Sequence, residues 1–197
     1  MSKNTHLSKL REDIVFNETL CGQALTFHST WGIFSPKSID KGSIMLLDYL
    51  EIEKNCDCLD LGCGYGPIGL TMAKLAPQGQ STLVDKDFMA IEFSRKNAEM
   101  NNINNCDIKL SNGLQHIREK RFHLIASNVP AKVGSEMMTI MLNDAFEQLH
   151  PGGKIYVVTI TGLRRYIERN FKEIFGNYTK IKQGKQYTVA MAVKPFE

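Results

Sequence analysis

The sequence lacks the features that mark membrane, fibrous and disordered proteins. No apolar run approaches the roughly 20 residues needed to cross a bilayer, and the 197 residues include only 6 prolines and 15 glycines. Such a composition excludes collagen-like and low-complexity chains. The N-terminus also has no apolar segment of the kind found in secretory signals. We therefore expect one cytoplasmic globular domain without membrane association.

Cysteines are few and do not form a framework. The five cysteines are odd in number and most fall inside apolar segments, so we interpret them as buried free thiols in a reducing compartment. Cys56 and Cys58 have no second pair at ligand spacing, and the five histidines are scattered. Because a structural zinc site needs such a second pair, the sequence predicts no metal.

Charge of one sign is also scarce. The chain has 24 Lys and Arg against 21 Asp and Glu, for a formal net charge of +3. The excess lies late, at Arg164, Arg165, Arg169, Lys172, Lys180, Lys182 and Lys185. Such a cluster is typical of a solvated helix and hairpin, and it also suits a nucleic-acid partner.

From residue 56 onward, short apolar runs alternate with longer amphipathic segments, which is typical of a parallel sheet flanked by helices. The predicted strands are Asp57–Leu61, Ser81–Val84, Asp107–Leu110, His123–Ser127 and Lys154–Thr159, followed by a hairpin of Tyr178–Lys182 and Tyr187–Val193. The predicted helices are Pro67–Ala76, Phe88–Asn101, Ser135–Leu149 and Leu163–Phe175. We predict a Rossmann-like α/β fold whose mostly parallel seven-stranded sheet ends in an antiparallel hairpin, with helices on both faces.

The first 55 residues have a different pattern. We expect a hairpin around Leu25–Phe34, a turn at residues 35–37 and an apolar helix at Ser43–Leu50. No repeat or flexible linker divides the chain. The sequence therefore predicts an N-terminal cap (1–55) packed on a core (56–197), in effect one domain.

The densest chemical signal is the segment D-L-G-C-G-Y-G-P-I-G at residues 60–69, where the first core strand should meet a helix. Glycines allow tight turns at positive φ and leave no Cβ to block a ligand, while a helix start contributes free N–H groups. Gly64, Gly66 and Gly69 also match the G-x-G-x-x-G pattern of nicotinamide-dependent dehydrogenases, so that class must be considered.

Two acids distinguish the possible cofactors. Asp85 lies 85 − 66 = 19 residues after Gly66, where it can accept hydrogen bonds from ribose hydroxyls. Asp60 directly precedes the glycines, and an anion there repels a pyrophosphate but suits a cationic amino acid group. This arrangement favours S-adenosylmethionine over a dinucleotide.

At these residues the sequence resembles the class I S-adenosylmethionine-dependent methyltransferases, over most of its length. It is similar in particular to the small-domain group typified by the ribosomal RNA guanine-N2 methyltransferases of the small subunit. W-G-I-F-S at residues 31–35, followed by D-K-G-S at residues 40–43, carries this narrower likeness.

The resemblance implies a set of cofactor-binding residues. By this resemblance, Asp60 and the glycine loop contact the methionine portion of the cofactor, and Asp85 contacts the ribose. Asn112 occupies the position where the family usually has an acid that accepts from the adenine amino group. The set comprises Asp60, Gly62, Cys63, Gly64, Gly66, Asp85, Lys86, Asn112, Gly113 and Asn128. The implied product is S-adenosyl-L-homocysteine.

Asn128 and Pro130 are the predicted catalytic residues. They directly follow a buried strand, at the end of the sheet where open α/β folds bind ligands. The family motif is Asn-Pro-Pro followed by a large apolar residue, whereas this sequence has Asn128-Val129-Pro130-Ala131. We also assign substrate contacts to Phe34, Val129, Ala131, Arg164 and Arg165.

The substrate implied by the resemblance is a guanine amino group in ribosomal RNA, so RNA is the expected partner. Two alternatives remain open at this point. One is transfer to a protein amide or a small molecule, and the other is a methyltransferase-fold binding protein without activity, for which the altered motif after Asn128 is the reason. The sequence does not predict an oligomeric state.

Overall fold

The computed structural model describes residues 7, 8, 10, 12–130 and 133–196. Its strands are β1 (Ile14–Leu20), β2 (Gln23–Ser29), β3 (Cys58–Leu61), β4 (Ser81–Asp85), β5 (Cys106–Leu110), β6 (Phe122–Asn128), β7 (Leu149–Ile160), β8 (Thr179–Gln183) and β9 (Tyr187–Val193). Its helices are α1 (Lys41–Leu47), α2 (Pro67–Leu75), α3 (Phe88–Met100), α4 (Ser135–Gln148) and α5 (Arg164–Phe175), and a 3₁₀ turn (Thr161–Leu163) precedes α5.

A seven-stranded sheet with the order β5-β4-β3-β6-β7-β9-β8 forms the centre of the molecule. Strands β3 to β7 pair in parallel, and β9 runs antiparallel to both of its neighbours. One core cluster contains side chains of α2, α3 and the N-terminal hairpin, and a second contains those of α4 and α5. Successive strand residues alternate between the clusters, with Cys58 in the first and Leu59 in the second. The predicted fold, with helices on both faces, is confirmed.

Strand β7 begins five residues earlier than the expected Lys154, at Leu149. The sequence Pro151-Gly152-Gly153 suggests a helix stop followed by a turn, but in the structure it lies inside the strand. Gly152 has a φ of 77°, and its N–H donates to the Lys194 carbonyl at 2.8 Å. The pairing of β6 with β7 shifts register nearby, between Phe122 and Leu124. The strand accommodates the two glycines through this local irregularity and continues beyond them.

The predicted position of the N-terminal hairpin was wrong. The hairpin consists of β1 and β2, and it turns at Cys21 and Gly22, which both have positive φ values of 50° and 76°. A two-residue turn of this kind matches the twist of an antiparallel pair. Residues 31–34, which the prediction included, form turns and bends after β2.

Helix α1 begins two residues before the expected Ser43 and ends at Leu47. Its start is determined by Asp40, whose Oδ2 accepts hydrogen bonds from the N–H groups of Gly42 (2.8 Å) and Ser43 (3.3 Å). An aspartate in this position satisfies the free N–H groups of the first turn.

Asn97 of α3 and Asn101, the residue that directly follows α3, fasten the hairpin to the core. Asn101 exchanges hydrogen bonds of 2.9 and 2.7 Å with the backbone of Thr26, and Asn97 exchanges bonds of 2.7 and 2.9 Å with the backbone of His28. The side-chain amides therefore pair with the edge of β2 as a neighbouring strand would. The division of the chain at residue 55 stays a prediction.

Helix α3 is 13 residues long and α4 is 14. No helix within the described part of the chain has the length and apolar character needed to span a membrane.

Candidate functional site

The glycine-rich loop leaves β3 and enters α2 at the carboxyl edge of the sheet. Gly62 and Gly64 have φ values of 82° and 56°, and a Cβ at either position would meet no atom within 4 Å. The space in front of the loop is therefore open. Gly69 has the opposite role, because a Cβ there would lie 2.3 Å from Leu83. Glycine at this position lets α2 pack closely on the sheet.

Asp60 lies beneath this loop and is completely buried. Its Oδ2 accepts a hydrogen bond from the Gly69 N–H at 2.7 Å. No described donor reaches Oδ1. Burial raises the pKa of Asp60 to about 7, opposed by the Gly69 N–H and reinforced by the negative charge of Asp85. The carboxyl group therefore exchanges a proton near neutral pH, and its free oxygen can accept a cationic donor.

Asp85 ends β4 next to the loop. Its Oδ2 accepts from the Gly64 N–H at 2.9 Å and its Oδ1 accepts from the Asp87 N–H at 3.0 Å. Asp87 caps α3, while the neighbouring Lys86 is exposed. Leu110 is paired with Asp85 at the end of the adjacent β5. These contacts bring the second predicted acid to within one hydrogen bond of the glycine loop.

The remaining predicted cofactor residues differ in accessibility. Asn112 is exposed and Gly113 is half-buried, just beyond the end of β5. Cys63 is buried, with its Sγ 3.7 Å from Ser94 Oγ. Burial raises the pKa of the Cys63 thiol well above its usual value, so this thiol is uncharged at neutral pH and packs under the loop.

Asn128 is the last residue of β6, and its side chain is hydrogen-bonded to residues of the N-terminal segment. Its Nδ2 donates to Asp40 Oδ2 and to Ser43 Oγ, each at 2.9 Å. Tyr187, at the start of β9, donates to Asp40 Oδ1 at 2.9 Å. Asp40, Ser43 and Tyr187 are not among the site residues predicted from the sequence. The D-K-G-S segment was noticed only as a family likeness, and Tyr187 gave no local signal.

The residues after Asn128 diverge in exposure. Val129 is buried in the second core cluster, and its N–H donates to the Val158 carbonyl at 3.0 Å. Pro130 is exposed, and its carbonyl accepts from the Val133 N–H at 3.2 Å. The predicted contact Ala131 lies outside the described residues.

Phe34 belongs to a loop above the glycine segment. The Tyr65 hydroxyl holds this loop by donating to the carbonyls of Ser35 (3.1 Å) and Ser38 (3.2 Å). Phe34 is 68% exposed, so its ring is available to stack on a flat ligand near the site.

Arg164 and Arg165 begin α5, which the 3₁₀ turn Thr161–Leu163 joins to the carboxyl end of β7. With Glu168, Tyr178, Lys180 and Gln183 they line an open cavity of about 340 Å³, in which the cations outnumber the single carboxylate. Among the described residues, no carboxylate forms an ion pair with either arginine. Lys182 lies near the end of β8, at the same edge of the sheet. We refer to Arg164, Arg165 and Lys182, which all lie toward the carboxyl edge of the parallel strands, as the basic face.

The site suits S-adenosylmethionine, the cofactor expected from the sequence. The open space at Gly62 and Gly64 admits a ligand, the buried oxygen of Asp60 lacks a partner, and Asp85 offers acceptors beside the loop. Within the described residues no three His, Cys, Asp or Glu side chains are grouped so as to hold a metal ion.

Three comparisons with known proteins agree on one group. A family model described as methyltransferase small domain matches residues 24–191. The chain is 31% identical over 182 residues to the ribosomal RNA large subunit methyltransferase G of Cronobacter sakazakii, covering 89% of this chain and 48% of that protein. It is 32% identical over 173 residues to the uncharacterised protein YbxB of Bacillus subtilis, covering 86% of each.

A solved structure shows a similar backbone. The T. thermophilus 16S rRNA N2 G1207 methyltransferase (RsmC), in complex with AdoMet and guanosine, has a TM-score of 0.83 and 28% identity, and the match covers 91% of this chain and 50% of that one. The chain thus spans about half the length of both ribosomal RNA methyltransferases named here.

Proposed function

The chain belongs to the methyltransferase small domain family, and on that premise we propose that it methylates the exocyclic amino group of a guanine in ribosomal RNA. S-adenosylmethionine is the cofactor that the family match and the AdoMet-bound relative support. The family resemblance expected from the sequence is thereby confirmed.

The position of Asn128 beside the glycine loop is the observation that carries this proposal. Asp60 in β3 pairs with Ala126 in the parallel strand β6, so Gly62 and Asn128 each follow a paired residue by two positions. Neighbouring strands lie about 4.8 Å apart. An acceptor on Asn128 is therefore well placed to meet a substrate aligned with a ligand held in front of the loop.

The reaction requires alignment more than acid–base chemistry. When bound, S-adenosylmethionine would supply a methyl group on a positively charged sulfur. The nitrogen–carbon bond forms as the sulfur–carbon bond breaks, S-adenosyl-L-homocysteine leaves, and the methylated nitrogen loses one proton to water. A guanine amino group is a poor nucleophile because its lone pair is delocalised into the ring. The Asn128 Oδ1 accepts a hydrogen bond from one N–H of the guanine amino group, which localises the lone pair and stabilises the positive charge that develops on the nitrogen. The exposed Phe34 ring supplies a stacking surface for the base.

The basic face supports RNA as the substrate. Arg164, Arg165 and Lys182 lie at the same edge of the sheet as Asn128. Guanidinium groups without a carboxylate partner are suited to phosphates. The two ribosomal RNA methyltransferases among the relatives point to the same class of substrate, although one name specifies the large subunit and the other 16S RNA. A guanine in ribosomal RNA of either subunit is therefore the proposed target.

The test is transfer of labelled methyl groups from S-adenosylmethionine to total RNA, to protein extract and to small-molecule extract. We expect label in RNA, recovered as N2-methylguanosine after digestion. Asn128→Ala should abolish transfer, whereas Asn104→Ala, an exposed change beyond the other edge of the sheet, should leave both transfer and cofactor affinity at wild-type levels. Label in protein or small molecules would refute the RNA proposal, and RNA binding without any transfer would indicate an inactive binding protein.

A further inference from the structure

Within the described part of the chain, only one end of the Asn128 amide, the Nδ2 donor, is hydrogen-bonded. Both described hydrogen bonds of its side chain involve Nδ2, to Asp40 Oδ2 and Ser43 Oγ. No described donor bonds its Oδ1. Asn128 is half-buried, and its Oδ1 is not among the buried side-chain atoms that lack a partner, so this oxygen is accessible from outside the protein.

Asp40 determines which way round the amide lies. An ionised carboxylate only accepts hydrogen bonds. If the amide turned over, Asn128 Oδ1 would face Asp40 Oδ2 at 2.9 Å, and two acceptors would repel each other. The turned amide would also direct its N–H groups at the substrate, whose amino group is itself a donor. Only the observed orientation serves a substrate amine.

Tyr187 fixes the position of Asp40. Its hydroxyl donates to Asp40 Oδ1, while Oδ2 accepts from Gly42, Ser43 and Asn128. Burial and the bond to Asp40 raise the pKa of the Tyr187 hydroxyl, which keeps it a donor. A Cβ at Gly42 would lie 2.7 Å from Asp40 Oδ2 and 3.0 Å from the Tyr187 ring. The glycine in D-K-G-S therefore makes room for this arrangement.

We propose that Asp40, held by Tyr187, is a positioning residue that orients the Asn128 amide with its oxygen toward the substrate amine. The inference rests on the proposed methyl transfer. It adds to the site two side chains that are distant in sequence, because Asp40 lies 88 residues from Asn128 and 147 residues from Tyr187. Asp40 itself does not touch the reacting atoms.

Two substitutions of Asp40 separate positioning from helix capping. Asn and Ser are both good N-caps. In Asp40→Asn the amide oxygen still accepts from Asn128, and the amide nitrogen can donate to the Tyr187 hydroxyl. In Asp40→Ser the short side chain keeps the cap but does not reach Asn128. We expect kcat to fall roughly 10- to 100-fold in Asp40→Ser and to stay within about threefold of wild type in Asp40→Asn.

The remaining readouts exclude a general loss of structure. Cofactor affinity and the KM for RNA should change less than about threefold in Asp40→Ser, so that the loss appears in kcat. Tyr187→Phe should give a smaller loss in kcat, of the same kind. The Asn128 side-chain N–H signals in a ¹H–¹⁵N spectrum should shift in Asp40→Ser and remain near their wild-type positions in Asp40→Asn.

The outcomes distinguish this inference from the proposed function. An Asp40→Ser enzyme with wild-type kcat would overturn it, as would equal losses in the Ser and Asn variants, which would show that charge rather than orientation matters. If wild-type protein methylates nothing, the proposed function fails. The Asn128 amide signals then decide the orientation alone, and unchanged signals in Asp40→Ser would contradict it.

Discussion

Replacing Asp60 by Asn tests the central electrostatic feature of the cofactor site. The structure gives Asp60 a pKa of about 7, raised from 3.8 by complete burial. Between these values the folded protein keeps a proton that the unfolded chain has lost. The free energy of unfolding therefore decreases as the pH rises through this window.

The magnitude follows from the shift. A difference of about 3 pKa units, at about 1.36 kcal/mol each, corresponds to about 4 kcal/mol. Asp60 thus costs no stability below pH 4 and about 4 kcal/mol above pH 7. In Asp60→Asn this dependence disappears, because the amide does not titrate, although its oxygen can still accept from the Gly69 N–H.

The assay is urea unfolding followed by circular dichroism between pH 4.5 and pH 8. The difference in unfolding free energy between Asp60→Asn and wild type should increase with pH by roughly 3 kcal/mol over that range. Glu119→Gln, a change at an exposed carboxylate, is the control and should follow the wild-type curve. Parallel curves for wild type and Asp60→Asn would refute the raised pKa.

Two further predictions concern the ligands. Gly64→Val should reduce cofactor affinity, measured by calorimetry, more than 10-fold. The valine side chain would enter the open space before the loop, and a branched residue is strained at a φ of 56°. Unchanged affinity would mean that the ligand does not approach this position. Arg164→Gln combined with Arg165→Gln should lower the slope of log affinity against log salt for RNA by roughly 0.7 per lost phosphate contact. Lys54→Gln, an exposed change at the other edge of the sheet, should leave that slope unchanged, and an unchanged slope in the arginine variant would exclude this face.

The sheet and the glycine loop could be predicted because their signals are local. Apolar runs of strand length and helical spacing identify β3 to β9 within a few residues, and glycines before Pro67 identify the loop. The hairpin was misplaced because apolar residues make up half of residues 25–34, whereas the alternation of more and less exposed positions in β1 and β2 appears only in the structure. Local periodicity does not show which of two apolar segments pairs.

The surroundings of Asn128 could not be predicted for a different reason. Asp40, Asn128 and Tyr187 lie in an N-terminal loop, a central strand and a C-terminal strand, and they meet only through the strand order of the sheet. Asp60 illustrates the same limit. Its place before the glycines was evident, but its complete burial and unpartnered oxygen depend on how α2 packs over β3.

The Asn97 amide joins the hairpin to the glycine loop. Besides its bonds to His28, its Nδ2 donates to the Tyr65 carbonyl at 2.9 Å, and the Phe16 and Phe27 rings pack against the Tyr65 ring at 6.1 and 5.8 Å. Detachment of the hairpin would therefore remove the ring contacts of Tyr65 and expose Asn97 to water. The hairpin and the loop thus form one unit of local unfolding, and amide exchange in β2 reports on the integrity of the cofactor site some 40 residues further along the chain.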